Sequence, residues 1–227
     1  MSDAFDLVVF DCDGVLVDSE AIYITGELAH LEQIGVVFDR SEYMGRFMGL
    51  APALWEQQIA IEVENATGQA IPSDFFETLY HGERELMEVS LAALPGAYEA
   101  VAAVDGKRCV ASSSRMVWLA WKLERTGLLD LFDPYVYSSE LVDRGKPEPD
   151  LFLHAAWAMG ADPGRSVVIE DSVNGVLAGK AAGMSVIGFI GGGHCLPIHG
   201  DLLADAGADT VIENFSELSG AVAELRP

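Results

Sequence analysis

Along most of the chain, short apolar runs that end in polar residues alternate with segments of helical periodicity. The apolar runs predict strands at 6–10, 107–112, 134–138, 166–170, 185–190 and 209–212. Between them, apolar side chains recur at helical spacing in 115–126, 150–159 and 172–182. Regular alternation of strand and helix predicts a parallel sheet with helices covering both faces.

The stretch between the first two predicted strands departs from this alternation. It shows only helical patterns, over 21–34, 52–66 and 73–89. A strand followed by several helices, and then by a return to alternation, predicts a helical subdomain inserted after the first strand. We therefore expect a sheet core made of 1–17 and 91–227 and a helical insert at 18–90.

Composition and charge indicate a folded protein that acts on small molecules. Of the 227 residues 50% are hydrophobic, and the formal net charge is -23. No run of Lys or Arg could release counterions, so we expect neither nucleic acid nor an anionic membrane as a partner. No window approaches the about 18 apolar residues of a membrane span, and the first residues do not resemble a signal peptide. The three scattered cysteines fit a reducing compartment, so we expect a cytoplasmic protein. We expect it to be a monomer or a weak homodimer.

Asp11-Cys12-Asp13-Gly14 follows directly after an apolar strand pattern. A carboxylate can attack phosphorus to give an aspartyl-phosphate. A second carboxylate two residues on can protonate the leaving oxygen and later take a proton from water. Asp13 would have to be protonated at the outset, which nearby negative charge favours. The alternative is a pair of loop aspartates that face solvent.

The second motif is Ser112 in "RCVASSS". A hydroxyl and free backbone N–H groups at a strand end, opening a helix, can hold phosphate oxygens. Ser113, Ser114 and Arg115 follow at once and are candidate substrate-binding residues. Serines at a helix start are also ordinary caps, and Arg115 could instead pair with a surface acid.

The third motif is Lys146 in "RGKPEPD". Pro147 and Pro149 each disfavour helical geometry in the residue before them, which predicts an extended arm carrying Lys146. An ammonium there can neutralise a phosphate and its nucleophile together. The alternative is a solvated surface charge.

The fourth motif is Glu170-Asp171 in "SVVIEDSVNG", at the end of an apolar strand where unpaired acids would be costly. Mg²⁺ prefers one or two carboxylates together with water and substrate phosphate, and this pair suits it. A helix cap formed by Asp171 or Ser172 is the alternative, and the two roles can coexist.

These four motifs, in this order, resemble those of the haloacid dehalogenase superfamily over essentially the whole chain. The resemblance implies an α/β fold with a doubly wound, Rossmann-like parallel sheet, and it implies that the helical insert is a mobile cap.

The resemblance also implies roles for individual residues. The catalytic residues would be Asp11, Asp13, Ser112 and Lys146. Among these, Asp11 would be the nucleophile and Asp13 the acid/base. Mg²⁺ would be bound by Asp11, the carbonyl of Asp13 and Asp171, with help from Glu170.

Three activities occur on this fold, and the residues favour a phosphatase. Dehalogenases need no metal and lack the second aspartate, so Asp13 and the acidic pair count against that activity. Mutases that resemble β-phosphoglucomutase use a cap histidine, arginine and lysine. Here Tyr23 stands at the histidine position, "MGLAPALW" has no arginine and Glu77 falls near the lysine position.

We therefore expect a Mg²⁺-dependent phosphatase acting on a small phosphorylated metabolite. The stretches "FDCDGVLVDSE" and "LFLHAAWAMG" resemble those of small sugar-phosphate phosphatases, including the 6-phosphogluconate type. This resemblance favours a sugar or sugar-acid phosphate as the substrate. A sugar-phosphate mutase is the alternative, and a haloacid dehalogenase or a non-catalytic binding protein are further ones.

Candidate specificity residues lie in the helical insert: Tyr23, Arg46, Met48 and Trp55. Packing within the insert is the alternative for all of them, and the favoured one for Met48 and Trp55.

His194, Cys195 and His199 in "GGGHCLPIH" form a separate cluster. These residue types bind transition metals. Three ligands in a glycine-rich loop without a fourth are more typical of an ordinary loop, which we favour.

Overall fold

The computed structural model describes residues 4–47, 50 and 52–225. A parallel sheet lies at its centre. The strands are β1 (Leu7–Phe10), β2 (Lys107–Ser112), β3 (Val136–Ser138), β4 (Ser166–Glu170), β5 (Ser185–Phe189) and β6 (Thr210–Ile212). Their order is β3-β2-β1-β4-β5-β6, with every neighbouring pair parallel. The chain builds outward from β1 on one side and then on the other, so the predicted doubly wound α/β fold is confirmed.

Helices connect the strands and form the insert. The helices are α1 (Ser19–Gln33), α2 (Arg40–Phe47), α3 (Pro52–Thr67), α4 (Phe75–Ser90), α5 (Ala97–Ala102), α6 (Met116–Arg125), α7 (Asp150–Met159), α8 (Val173–Ala181), α9 (His199–Asp205) and α10 (Leu218–Leu225). The six helices predicted from periodicity are present. The sequence analysis missed α2, α5, α9 and α10. Each spans only about two turns, too short for a clear 3.6-residue period.

The sheet is buried on both faces, as a parallel sheet requires. Alternate residues of β1 point to opposite sides. Leu7 and Val9 belong to one apolar cluster together with residues of α7 and α8. On the other side, the ring of Phe10 meets that of Phe132 at a centroid distance of 5.8 Å.

Contacts divide the chain into two compact units. One consists of 1–18 with 92–227 and contains the sheet, and the other consists of 19–91 and contains α1 to α4. In the second unit, α4 buries one stripe at four-residue spacing: Phe75, Leu79, Glu83 and Met87. Among the described helices, none is long and apolar enough to cross a bilayer.

Candidate active site

Three of the four motifs lie at the carboxyl ends of adjacent strands. Asp11 follows β1, Ser112 ends β2 and Glu170 ends β4. β1 lies between β2 and β4, at the point where the strand order reverses. Ligands of open α/β sheets bind in the crevice at this point, because the connections leave in opposite directions there.

Lys146 joins two of these motifs. Its Nζ donates to Asp11 Oδ1 at 2.6 Å, to Glu170 Oε1 at 2.6 Å and to the carbonyl oxygen of Ala111 at 3.1 Å. The side chain is only 5% exposed, so the alternative of a solvated surface charge is wrong. Burial favours the neutral amine, but the two carboxylates outweigh it and raise the pKa of Lys146 above its ordinary value.

Asp11, Glu170 and Asp171 form a buried carboxylate cluster. Each offers an oxygen, and these oxygens lie within 4.8 Å of one another. Burial is the main cause that raises the pKa of Asp11 and of Asp171 well above the usual range, and neighbouring acids add to it. One lysine cannot balance three carboxylates. The residues therefore fit a divalent cation with oxygen ligands, such as Mg²⁺.

Asp13 has neighbours of both charges. Ser114 Oγ donates to Asp13 Oδ2 at 2.6 Å, and Lys122 Nζ contacts Asp13 Oδ1. The carboxyl groups of Asp11 and Asp171 supply the negative charge expected near Asp13, and the ammonium of Lys122 opposes it. The sequence analysis missed Lys122. A signal was available, because Lys122 shares the buried face of α6 with Leu119 and Leu123.

The serines after β2 build a turn around Asp13. Ser112 Oγ accepts the backbone N–H of Ser114 at 3.0 Å, which is the cap-like interaction given above as the alternative. The carbonyl of Ser113 accepts from Ser139 Oγ at 2.9 Å. These bonds fix the loop that carries Ser114 to Asp13. The turn therefore positions the acid/base candidate.

Arg115 lies at the surface. Its side chain is 73% exposed, and Nε donates to Glu140 Oε1 at 3.1 Å. The structure thus places Arg115 in the surface pair named above as the alternative to substrate binding.

Asp171 is contacted by the loop that follows β5. Its Oδ2 lies 2.8 Å from His194 Nε2, and its backbone oxygen lies 2.5 Å from His199 Nε2. Cys195 Sγ lies 3.6 Å from the same nitrogen of His194. The three candidate transition-metal ligands are therefore close together, but the described contacts engage both histidines with Asp171. No sequence pattern linked position 194 to position 171.

Gly14 explains why glycine follows the aspartate pair. Its φ is +76°, in the left-handed region. A Cβ there would lie 1.9 Å from Asp171 Oδ2. Any larger residue would therefore displace a carboxylate of the cluster.

Ser172, the other candidate cap, accepts from the N–H of Gly175 at 3.0 Å at the start of α8, so its capping role is confirmed.

The specificity candidates lie in the unit of residues 19–91. Tyr23 and Trp55 line a cavity of about 250 Å³ within that unit. Arg46 pairs with Glu62 at 2.5 Å and lies over the ring of Phe47. Met48 lies outside the described residues. Of the candidates, Tyr23 and Trp55 thus line a cavity, Trp55 being only 8% exposed as packing within the insert requires, while Arg46 is engaged by its neighbours.

Comparisons with known proteins agree with the fold and the motifs. The family model of haloacid dehalogenase-like hydrolases matches residues 5–183. The 6-phosphogluconate phosphatase of Escherichia coli K12 is 31% identical, over 85% of this chain and 86% of that protein. Hexitol phosphatase B of the same strain is 33% identical, over 79% and 81%.

A solved structure extends the similarity to three dimensions. It is a haloacid dehalogenase family hydrolase from Deinococcus radiodurans R1 with bound phosphate and sodium, 34% identical, with a TM-score of 0.87 over 98% of this chain and 97% of that one. The predicted class, an enzyme of the phosphatase type, is confirmed. The chain belongs to the haloacid dehalogenase-like hydrolase family.

Proposed function

We propose that this protein is a Mg²⁺-dependent phosphatase that hydrolyses a small phosphorylated carbohydrate through an aspartyl-phosphate. The observation that carries the proposal is the cluster at the carboxyl edge of the sheet, where Lys146 bridges Asp11 and Glu170 beside Asp171. Two relatives are named as phosphatases of 6-phosphogluconate and of hexitols. These names support a sugar or sugar-acid phosphate as substrate.

The metal would be held by Asp11, the carbonyl of Asp13 and Asp171, with Glu170 in support. Bound there, Mg²⁺ would offset the negative charge of the phosphate and of the cluster. His194 would orient Asp171 through its 2.8 Å contact. Lys146 would hold one oxygen of Asp11, which leaves the other oxygen to act as the nucleophile.

In the first step, an Asp11 oxygen bonds to phosphorus while the bond from phosphorus to the alcohol oxygen breaks. Asp13 gives its proton to that leaving oxygen. The incoming phosphate would add to the negative charge of Asp11 and Asp171 near Asp13, and so favour the protonated form. In the second step, Asp13 takes a proton from water, whose oxygen attacks the phosphorus and releases Asp11.

A mutase activity has less support, because a mutase must bind a second phosphate group. The described residues that line the cavity of the helical insert include no Lys or Arg. They include three acids, Glu20, Glu27 and Glu83. Such a lining repels a phosphate.

The decisive test is Asp11→Asn, assayed by phosphate release from p-nitrophenyl phosphate and a panel of sugar phosphates, with Mg²⁺ or with EDTA. We expect activity at background level, because the amide is not a nucleophile. Asp6→Asn is the matched control, since Asp6 lies just before β1 and pairs with Arg165. A variant at Asp11 with wild-type activity would refute the nucleophile. Conversion of a hexose 1-phosphate to the 6-phosphate without phosphate release would favour the mutase.

A further inference from the structure

The helical insert encloses a cavity whose lining is acidic and aromatic. The cavity measures about 250 Å³ and lies entirely within residues 19–91. Its polar lining includes Glu20, Glu27, Glu83, Tyr43, Trp55 and Tyr80. Nothing in the proposed phosphoryl transfer uses these residues, so their grouping calls for a separate explanation.

Glu83 is the least expected of them. It lies on the buried stripe of α4 between Leu79 and Met87 and is only 6% exposed. A leucine would serve packing at this position better, because burying a carboxyl is costly. A Cβ at Gly26 of α1 would lie 3.3 Å from Glu83 Cγ and 3.3 Å from Leu86 Cδ1. The glycine therefore lets both side chains of α4 approach α1 closely.

The other polar groups of the cavity do not satisfy Glu83. Trp55 Nε1 donates to the hydroxyl of Tyr43 at 3.1 Å, and Tyr43 is hydrogen-bonded in turn to Glu27. Tyr80 donates to Glu56 Oε1 at 2.6 Å. Within the part of the chain that the structure describes, Glu83 has neither a hydrogen bond nor an ion pair. Its oxygens are not among the fully buried atoms that lack a partner, so they open onto the cavity, where a donor from outside the chain can reach them.

The chemistry of the lining restricts what that donor can be. Burial, and then Glu27 and Glu20, raise the pKa of Glu83 to about 8. A ligand carboxylate or phosphate would add repulsion. A neutral hydroxyl would supply a hydrogen bond but would not favour the ionised carboxylate. An ammonium supplies the hydrogen bond and favours the ionised form as well, and the faces of the aromatic rings attract it further.

We propose that the cavity binds a protonated amine or quaternary ammonium group, with Glu83 as its ion-pair partner and the aromatic side chains around it. The ligand is a small amine that binds within this unit, independently of the proposed phosphatase site.

Binding can be measured without turnover, by NMR titration of the full chain. The probes are glucosamine, glucose and gluconate, which share a six-carbon frame but are cationic, neutral and anionic. The chain has four tryptophans, and Trp55→Phe identifies the indole N–H signal of Trp55. We expect glucosamine to shift that signal most strongly and gluconate not to shift it.

Two variants link the binding to Glu83. Glu83→Gln keeps the shape but removes the charge, and we expect it to weaken glucosamine binding by about tenfold or more, as loss of a charge-assisted hydrogen bond does. Glu85→Gln is the matched control, because Glu85 lies on the same helix with its side chain 70% exposed. It should leave the affinity unchanged. Equal shifts by glucose and glucosamine, a shift by gluconate, or no shift by any probe would overturn the proposal.

Amine binding and hydrolysis are measured separately, so the two proposals can fail independently. If no phosphate is hydrolysed at all, the proposed function fails while the NMR result still decides the cavity.

Discussion

The protein has two buried acidic clusters that differ in what balances their charge. At the sheet edge, Lys146 contacts Asp11 and Glu170, and Lys122 contacts Asp13. In the cavity of the helical insert, Glu83 is raised in pKa by two other glutamates, and no described lining residue is a lysine or arginine.

At the sheet edge the chain supplies its own positive charges, whereas in the cavity we propose that a ligand supplies one. Lysines at the sheet edge contact Asp11 and Asp13, the candidate nucleophile and acid/base, and three carboxylates there are close enough together to share one further cation. In the cavity the chain provides only the negative partner. Removing charge should therefore have opposite effects on stability in the two places.

The largest effect should come from the acid/base candidate. Asp13→Asn keeps the contact with Ser114 but cannot transfer a proton. We expect kcat to fall by about 10²–10⁴-fold. Steady-state hydrolysis of alkyl and aryl phosphates measures it, and the alkyl ester should suffer more because its leaving oxygen needs the proton more. A fall of the same size in Ser114→Ala would point to positioning of the loop rather than to proton transfer.

The next largest effect should come from removing Lys146, the lysine that Asp11 and Glu170 share. Lys146→Met leaves two buried carboxylates without their partner, which should lower the free energy of unfolding by about 3–5 kcal/mol. Urea denaturation in EDTA measures this loss, and added MgCl₂ should recover part of it because the ion binds the folded cluster.

Lys180→Met provides the comparison for that measurement. Lys180 pairs with Asp209 at 2.7 Å, but both side chains are about one third exposed, 36% and 32%. We expect a loss of about 1 kcal/mol or less. If both lysine variants lose the same stability, the sheet-edge pairs have no special role.

Removing the charge in the cavity should instead stabilise the protein at high pH. The pKa of Glu83 is raised from 4.5 to about 8, so the folded state binds more protons than the unfolded state between these values. Stability from this group is complete below pH 4.5 and is lost as the pH rises through 8. Glu83→Gln should remove this slope and gain on the order of 2–4 kcal/mol above pH 8.

Denaturation curves at a series of pH values test this sign, with Glu85→Gln as the exposed control. A variant at Glu83 that is less stable than the wild type at pH 9 would mean that the carboxylate already has a partner in the folded protein.

The smallest effect should come from Arg115→Ala. Arg115 and Glu140 are exposed, so the pair contributes little. We expect an unchanged urea midpoint and an unchanged KM for the phosphate ester. An increased KM would show that Arg115 contributes to substrate binding.

Much of the core was predictable because its determinants are local. Apolar runs identified all six strands, helical periodicity identified six helices, and glycines such as Gly127 and Gly183 mark where helices end. The order of the four motifs along the chain was sufficient to predict the family. Polar residues at strand ends are visible in a sequence, because each one interrupts an apolar run.

The partners of those residues were not predictable, because they arise from packing across long stretches of chain. Lys122 and Asp13 are 109 positions apart, and Lys146 and Asp11 are 135 apart. The contact of His194 with Asp171 and the fit of Glu83 against Gly26 likewise join separate elements. The sequence by itself determined the strands, the longer helices and the family, and it identified the candidate site residues. Only the tertiary structure decided which acids have a cation beside them, because an ion pair depends on distance in space.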